Sequence, residues 1–160
     1  PSKTIDILID GDDYLYSGDD LNILYEKYLN TNCLITYGSH LSSKGIQGKK
    51  YPRLIRKLKL YRKYFWYASH LKTFRHDLWL SIDQNDLLNQ NGKYFSVASD
   101  LALMFPMLEM AGNRQEFVKD ILYVYNDQNP ISDHKIRRKD QISAAKEIRR
   151  KKRYKEQIFK

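Results

Sequence analysis

The sequence has a single cysteine, Cys33, so an internal disulfide is excluded and a reducing, cytoplasmic compartment fits. Cys33 lies in the apolar run Cys33-Leu34-Ile35-Thr36-Tyr37, where a thiol reads as a small buried hydrophobe. No apolar stretch approaches the roughly 18 residues of a bilayer-spanning helix, and no signal peptide pattern opens the chain. There is no internal repeat, and 160 residues at 42% hydrophobic make one domain. The chain opens at Pro1, so either an initiator was removed or this is a piece of something longer. Acidic residues are missing altogether from Lys27 to His76, a window holding Lys44, Lys49, Lys50, Arg53, Arg56, Lys57, Lys59, Arg62 and Lys63.

The net charge of +9 is concentrated at one end. Residues 135–160 hold 12 Lys/Arg against Asp140, Glu147 and Glu156, which accounts for all nine excess charges. Runs of this kind attract phosphates, nucleic acid or anionic lipid headgroups, or they serve as a solvated face. Within the basic window, Tyr61, Tyr64, Phe65, Trp66 and Tyr67 follow Arg56-Lys57-Leu58-Lys59 and Arg62-Lys63. Aromatics beside cations suit base stacking, a membrane interface, or an ordinary core with snorkelling neighbours. Met104, Met107 and Met110 recur every three residues and read as core.

The segment richest in chemistry is Ile5-Asp6-Ile7-Leu8-Ile9-Asp10-Gly11-Asp12-Asp13. It reads as a buried strand ending in three carboxylates around a glycine. Ligands of open α/β sheets sit at such strand ends. Crowded carboxylates repel one another unless a cation or donors offset the repulsion. Mg2+ or Mn2+ shared with substrate phosphates would do so; an acidic turn facing water is the plainer alternative.

Patterning predicts a strand over 4–9, a helix over 19–30 and a strand over 33–37. It predicts a long loop over 38–52, a helix over 68–82 with Leu71, Phe74, Leu78 and Ile82 on one face, and a turn at 89–92. A helix over 99–111 should stop at Gly112-Asn113. A third strand covers 121–125, Asn129-Pro130 breaks the chain, and one long basic helix packs weakly over 137–159. Asp100 heads the 99–111 helix, either as an N-terminal carboxylate favoured by the dipole or as a general base. Asn129-Pro130-Ile131-Ser132-Asp133-His134 adds a turn bearing a histidine.

Four segments then point the same way. Asp10-Gly11-Asp12-Asp13 after a strand, Thr36-Tyr37-Gly38 with His70-Leu71-Lys72-Thr73-Phe74-Arg75, Asp100 through Ala111, and Tyr123-Val124-Tyr125-Asn126 followed by Asn129-Pro130 and Asp133-His134 resemble family 2-like nucleotide-sugar glycosyltransferases of the A-type fold. The resemblance covers about residues 4–138. It implies an α/β fold: the C-terminal portion of a Rossmann-like mixed sheet with flanking helices over 1–134, followed by a basic helical tail over 135–160.

The resemblance also implies roles. Asp10 would lie near the nucleotide ribose, Asp12 would hold Mn2+ or Mg2+ across the diphosphate, and Asp13 would assist either. Asp100 matches the base of the inverting motif, with Ser99 where a Glu usually stands. His134 would complete the metal site, and Arg75 would contact the diphosphate. His70, Trp79 and Glu109 would meet the acceptor. The donor would be a nucleotide sugar, expected to be a UDP-sugar, and the acceptor a carbohydrate or other hydroxyl. The Gln-x-x-Arg-Trp motif of polymerising relatives is absent, since Gln141 is followed by Ile142, Ser143 and Ala144.

In that family a nucleotide-binding half precedes the acidic motif, and here only a handful of residues do. The expected partner is therefore a missing N-terminal half or a second copy, across an open sheet edge and an exposed apolar face. The alternative is a noncatalytic basic module for anionic membrane or, less in keeping with the composition, nucleic acid.

Overall fold

A computed structural model describes residues 3–130 and 133–158, with the side chains of residues 133 and 134 outside the description. It shows a mixed α/β arrangement. The strands are β1 (Ile5–Leu8), β2 (Tyr14–Leu15), β3 (Ile35–Ser42), β4 (Gly45–Gln47), β5 (Lys72–Arg75) and β6 (Gln115–Val124). The helices are α1 (Asp20–Asn30), α2 (Arg53–Lys57), α3 (His76–Leu80), α4 (Ser99–Ala111), α5 (Asp133–Ile136) and α6 (Arg138–Arg150).

The sheet runs β1-β5-β3-β6-β2, with β4 hairpinned onto β3. Among the described residues only the central β3–β6 pair is parallel; the other pairs are antiparallel. β1 and β2 stand at opposite edges, yet only six residue steps separate Leu8 from Tyr14. A chain that short spans at most about 20 Å. The sheet must curl until its two edges come within that reach, and the acidic turn bridges them.

α4 is the core element. Ten of its residues are buried, from Leu101 and Ala102 through Met104 to Ala111, and the three methionines pack there as the patterning implies. Gly112 ends the helix with φ of 56°, a conformation that suits glycine. The aromatics of the basic window are largely used in the interior. Tyr61 is fully buried, Tyr51 packs edge-on against it, and the Tyr51 hydroxyl accepts from the Tyr67 backbone N–H at 3.1 Å.

Several expectations are corrected. β1 is an edge strand, half exposed rather than buried, because only β5 pairs with it; Ile7 and Ile9 reach solvent. The segment expected as a loop over 38–52 instead continues β3 to Ser42 and returns as β4. Gly45 takes the positive φ of that tight turn, and Asp127 accepts from both the N–H and the hydroxyl of Ser43. The helix expected over 68–82 is a strand followed by a short helix. Thr73 and Phe74 favour the pleat, and pairing with both β1 and β3 overrides the local period. The third strand begins at Gln115, six residues before the expected start.

The C-terminal helix ends at Arg150, and residues 152–158 run on without regular structure. The tail is also docked more firmly than its sparse apolar residues imply. Ile148 is buried, and Arg149 donates to the carbonyls of Tyr61, Arg62 and Tyr64. Lys151 donates to the carbonyls of Asn85 and Leu88, and the Gln157 N–H reaches the Met110 carbonyl. Among the described residues no helix is long and apolar enough to cross a membrane.

Candidate functional site

The acidic motif folds as a turn, closed by a 3.1 Å bond from the Asp13 N–H to the Asp10 carbonyl. The Asp10 N–H donates to the Tyr123 hydroxyl at 3.0 Å, which ties the turn to β6. Asp13 Oδ1 accepts from the Asn126 N–H at 2.8 Å, while its Oδ2 is buried with no hydrogen-bond partner among the described residues. A buried, unpaired carboxylate oxygen is costly and calls for a ligand.

His70 comes to this turn from the segment leading into β5; its peptide to Leu71 is cis. Its ring stacks on Tyr123 at 4.7 Å and on Tyr125 at 5.3 Å, with His40 of β3 edge-on at 5.5 Å. Donor atoms of Asp10, Asp13 and His70 lie within 4.8 Å of one another. Burial, then the charge of Lys72, then His40, pushes the His70 imidazole down to about 2, so it stays neutral with a lone pair to offer. Two carboxylates and a neutral imidazole are a donor set for Mg2+ or Mn2+.

Lys72 is the cation of the site. It begins β5, is 3% exposed, and places Nζ 3.5 Å from Asp100 Oδ2. Its charge lowers the Asp10 pKa, whereas burial and the neighbouring Asp13, Asp100 and Asp12 raise it; the net shift is upward. Asp100 stands at the start of α4 behind Ala98, a non-glycine residue at φ 54°. Such backbone strain clusters at functional sites. Asp10, Asp13, His70, Lys72 and Asp100 thus form one electrostatic group contributed by the turn after β1, the entry and first residue of β5, and the first turn of α4.

The remaining expected residues lie elsewhere. Asp12 is not part of the three-donor group; its carboxylate accepts from the Asn129 amide, across the turn. Arg75 sits at the far end of β5, opposite Ile5, stacked over the Tyr28 ring at 4.9 Å. Glu109 is inside the core, gripped by Arg62. Trp79 lies on α3 and packs on the same core. The His134 side chain, expected as a metal ligand, lies outside the described residues.

Sequence reasoning missed Lys72, Tyr123 and the place of His70 beside the carboxylates. The available signal for Lys72 was a lone cation directly ahead of the apolar-flanked Thr73-Phe74. No protein-family model matches the chain, and no curated protein matches it.

Proposed function

We propose that this chain carries the metal- and acceptor-handling part of an inverting nucleotide-sugar glycosyltransferase. The observation that supports it is the convergence of Asp10, Asp13 and His70 around an unpaired carboxylate oxygen, with Asp100 beside them through Lys72. Asp10, Asp13 and His70 would hold a divalent ion, which when bound supplies Lewis-acid stabilisation of a diphosphate leaving group.

Asp100 acts as the general base. Its side chain is 32% exposed, so an acceptor hydroxyl would reach it from solvent, with Lys72 Nζ 3.5 Å away. The acceptor oxygen bonds to the anomeric carbon as the bond from that carbon to the diphosphate breaks. The hydroxyl proton passes to Asp100, and the nucleoside diphosphate leaves with the electron pair. A single displacement inverts the anomeric centre.

Calorimetric titration of Mn2+, alone and with UDP, into the wild type and Asp13→Ala tests this reading. Mn2+ binding lost in the variant, and UDP binding that requires Mn2+, support it. Absence of Mn2+ binding in the wild type sinks the metal site; Mn2+ binding without UDP binding sinks the donor assignment for this chain.

A further inference from the structure

We infer that the face built from residues 53–65 and 149–156 is a docking surface for an anionic lipid bilayer. The inference does not depend on the transferase reading, since none of its residues belongs to the acidic site.

The two segments are distant in sequence and adjacent in the fold. Arg149 Nη1 donates to the carbonyls of Tyr61, Arg62 and Tyr64, Arg153 reaches the Leu58 carbonyl at 3.5 Å, and Lys59 pairs with Glu156 at 3.0 Å. Some cations of the face serve the fold. Arg62 grips Glu109, and Lys151 binds loop carbonyls. Six do not: Arg53, Lys57, Lys63, Arg150, Lys152 and Lys155 are exposed and make no hydrogen bond or ion pair among the described residues. Acids nearby are already engaged, Glu156 by Lys59 and Glu147 by the Gln90 N–H. The outward field of this face is therefore positive.

Its apolar residues select the partner. Leu54 in α2 is 62% exposed and Leu58, the residue that ends the helix, 49%, while Ile55 turns inward. Phe65 is 73% exposed. Nucleic acid needs aromatic planes free to stack. In this face Phe65 is the one open ring among the described residues, and a single ring is no platform for successive bases; its neighbours are engaged, with Tyr61 buried, Tyr64 and Tyr67 edge-on at 5.5 Å, and Trp66 packed against Phe105. Two exposed leucines and an exposed phenylalanine in segments dense with exposed lysine and arginine suit insertion at the headgroup–acyl boundary, with cations at the level of anionic lipid.

Co-sedimentation with vesicles of phosphatidylcholine, with and without phosphatidylserine, tests the assignment. Binding is expected only with phosphatidylserine and should weaken as salt is raised. Neutralising Arg150 and Lys152 to Gln should weaken the partition constant about 30-fold, at roughly fivefold per basic residue. Leu54→Ser with Phe65→Ser should weaken it again at unchanged charge. The control Lys44→Gln with Lys119→Gln removes the same charge elsewhere and should leave binding within about twofold. All of these positions are exposed, and circular dichroism checks that each variant folds.

The proposal is overturned by no binding to phosphatidylserine vesicles at low salt, by equal binding to neutral vesicles, or by equal losses in the control. It is overturned in favour of a nucleic-acid surface if single-stranded RNA displaces the protein from vesicles and the Leu54, Phe65 pair leaves RNA binding intact.

Discussion

Helix α4 carries an acid at each end, and the fold holds the two in opposite ways. Glu109, in the last turn, is fully buried. Its two oxygens accept from Arg62 at 2.8 and 3.1 Å and from the Tyr154 N–H at 3.0 Å, and Arg62 spends its remaining reach on the Ile148 carbonyl at 2.7 Å. Asp100, in the first turn, is 32% exposed; it accepts from the adjacent Leu101 N–H and faces Lys72 at a looser 3.5 Å. A saturated buried pair can only hold structure, because any ligand would have to replace several short bonds at once. A loose pair with an open side can exchange partners and take up a proton. Side-chain saturation thus separates the acid that builds the domain from the acid that keeps an open side, as the proposed base role requires.

The largest break in this comparison is Glu109→Ala. It strands Arg62 as an uncompensated buried charge and removes the anchor of the C-terminal strap, so we expect a loss of about 3–5 kcal/mol. Urea denaturation of the variant measures it. Asp100→Asn also takes an ion-pair partner from the buried Lys72, but the pair is looser at 3.5 Å, Asp100 is 32% exposed and the amide oxygen can still accept, so the loss should be clearly smaller than for Glu109→Ala. Comparable losses for the two variants would end the distinction drawn here.

Between these extremes falls the Asp13 carboxylate. With Mn2+ at about 100 times its dissociation constant, the wild type should gain about 2.7 kcal/mol of stability. Asp13→Ala should gain nothing from the ion, and without the ion it should lose only about 1 kcal/mol, the Oδ1 bond from the Asn126 N–H. Thermal melts with and without Mn2+ decide this; an ion-independent loss of several kcal/mol would make Asp13 structural.

The same contrast explains what the sequence could and could not reveal. α4 is legible end to end, because its apolar run is bounded by Ser99-Asp100 and by Gly112, both local signals. The strand-end carboxylates are equally local, and Asp10, Asp13 and Asp100 all stand in the group the fold assembles. Lys72 and His70 are not legible in the same way. Their place depends on β5 pairing with both β1 and β3, contacts more than 30 residues apart in sequence, and the 68–82 segment carries a helical period that hides the strand. Glu109 and Arg75 look like site residues until tertiary structure supplies Arg62 to one and Tyr28 to the other. The tail reads as a loosely packed basic helix because its anchors are hydrogen bonds from Arg149 and Lys151 to backbone carbonyls, which apolar periodicity does not record.

The finest test concerns Asp10, where we expect a substitution to stabilise the ion-free protein. Burial and the neighbouring Asp13, Asp100 and Asp12 raise the Asp10 pKa, against the opposing charge of Lys72. A carboxyl whose folded pKa lies above its unfolded value makes an unfavourable contribution to stability at higher pH. That contribution vanishes once the pH falls below the unfolded value, where both states are protonated. Asp10→Asn removes the charge, so without added metal it should be slightly more stable than the wild type near neutral pH. The advantage should shrink toward zero at about pH 3. Saturating Mn2+ should reverse the order, because only the wild type keeps all three donors. Thermal melts at both pH values, with and without the ion, read all three outcomes. A wild type that is already the more stable form at neutral pH without metal would mean that Asp10 is held by the fold for its own sake, as Glu109 is, and that the strand end is not poised for a cation.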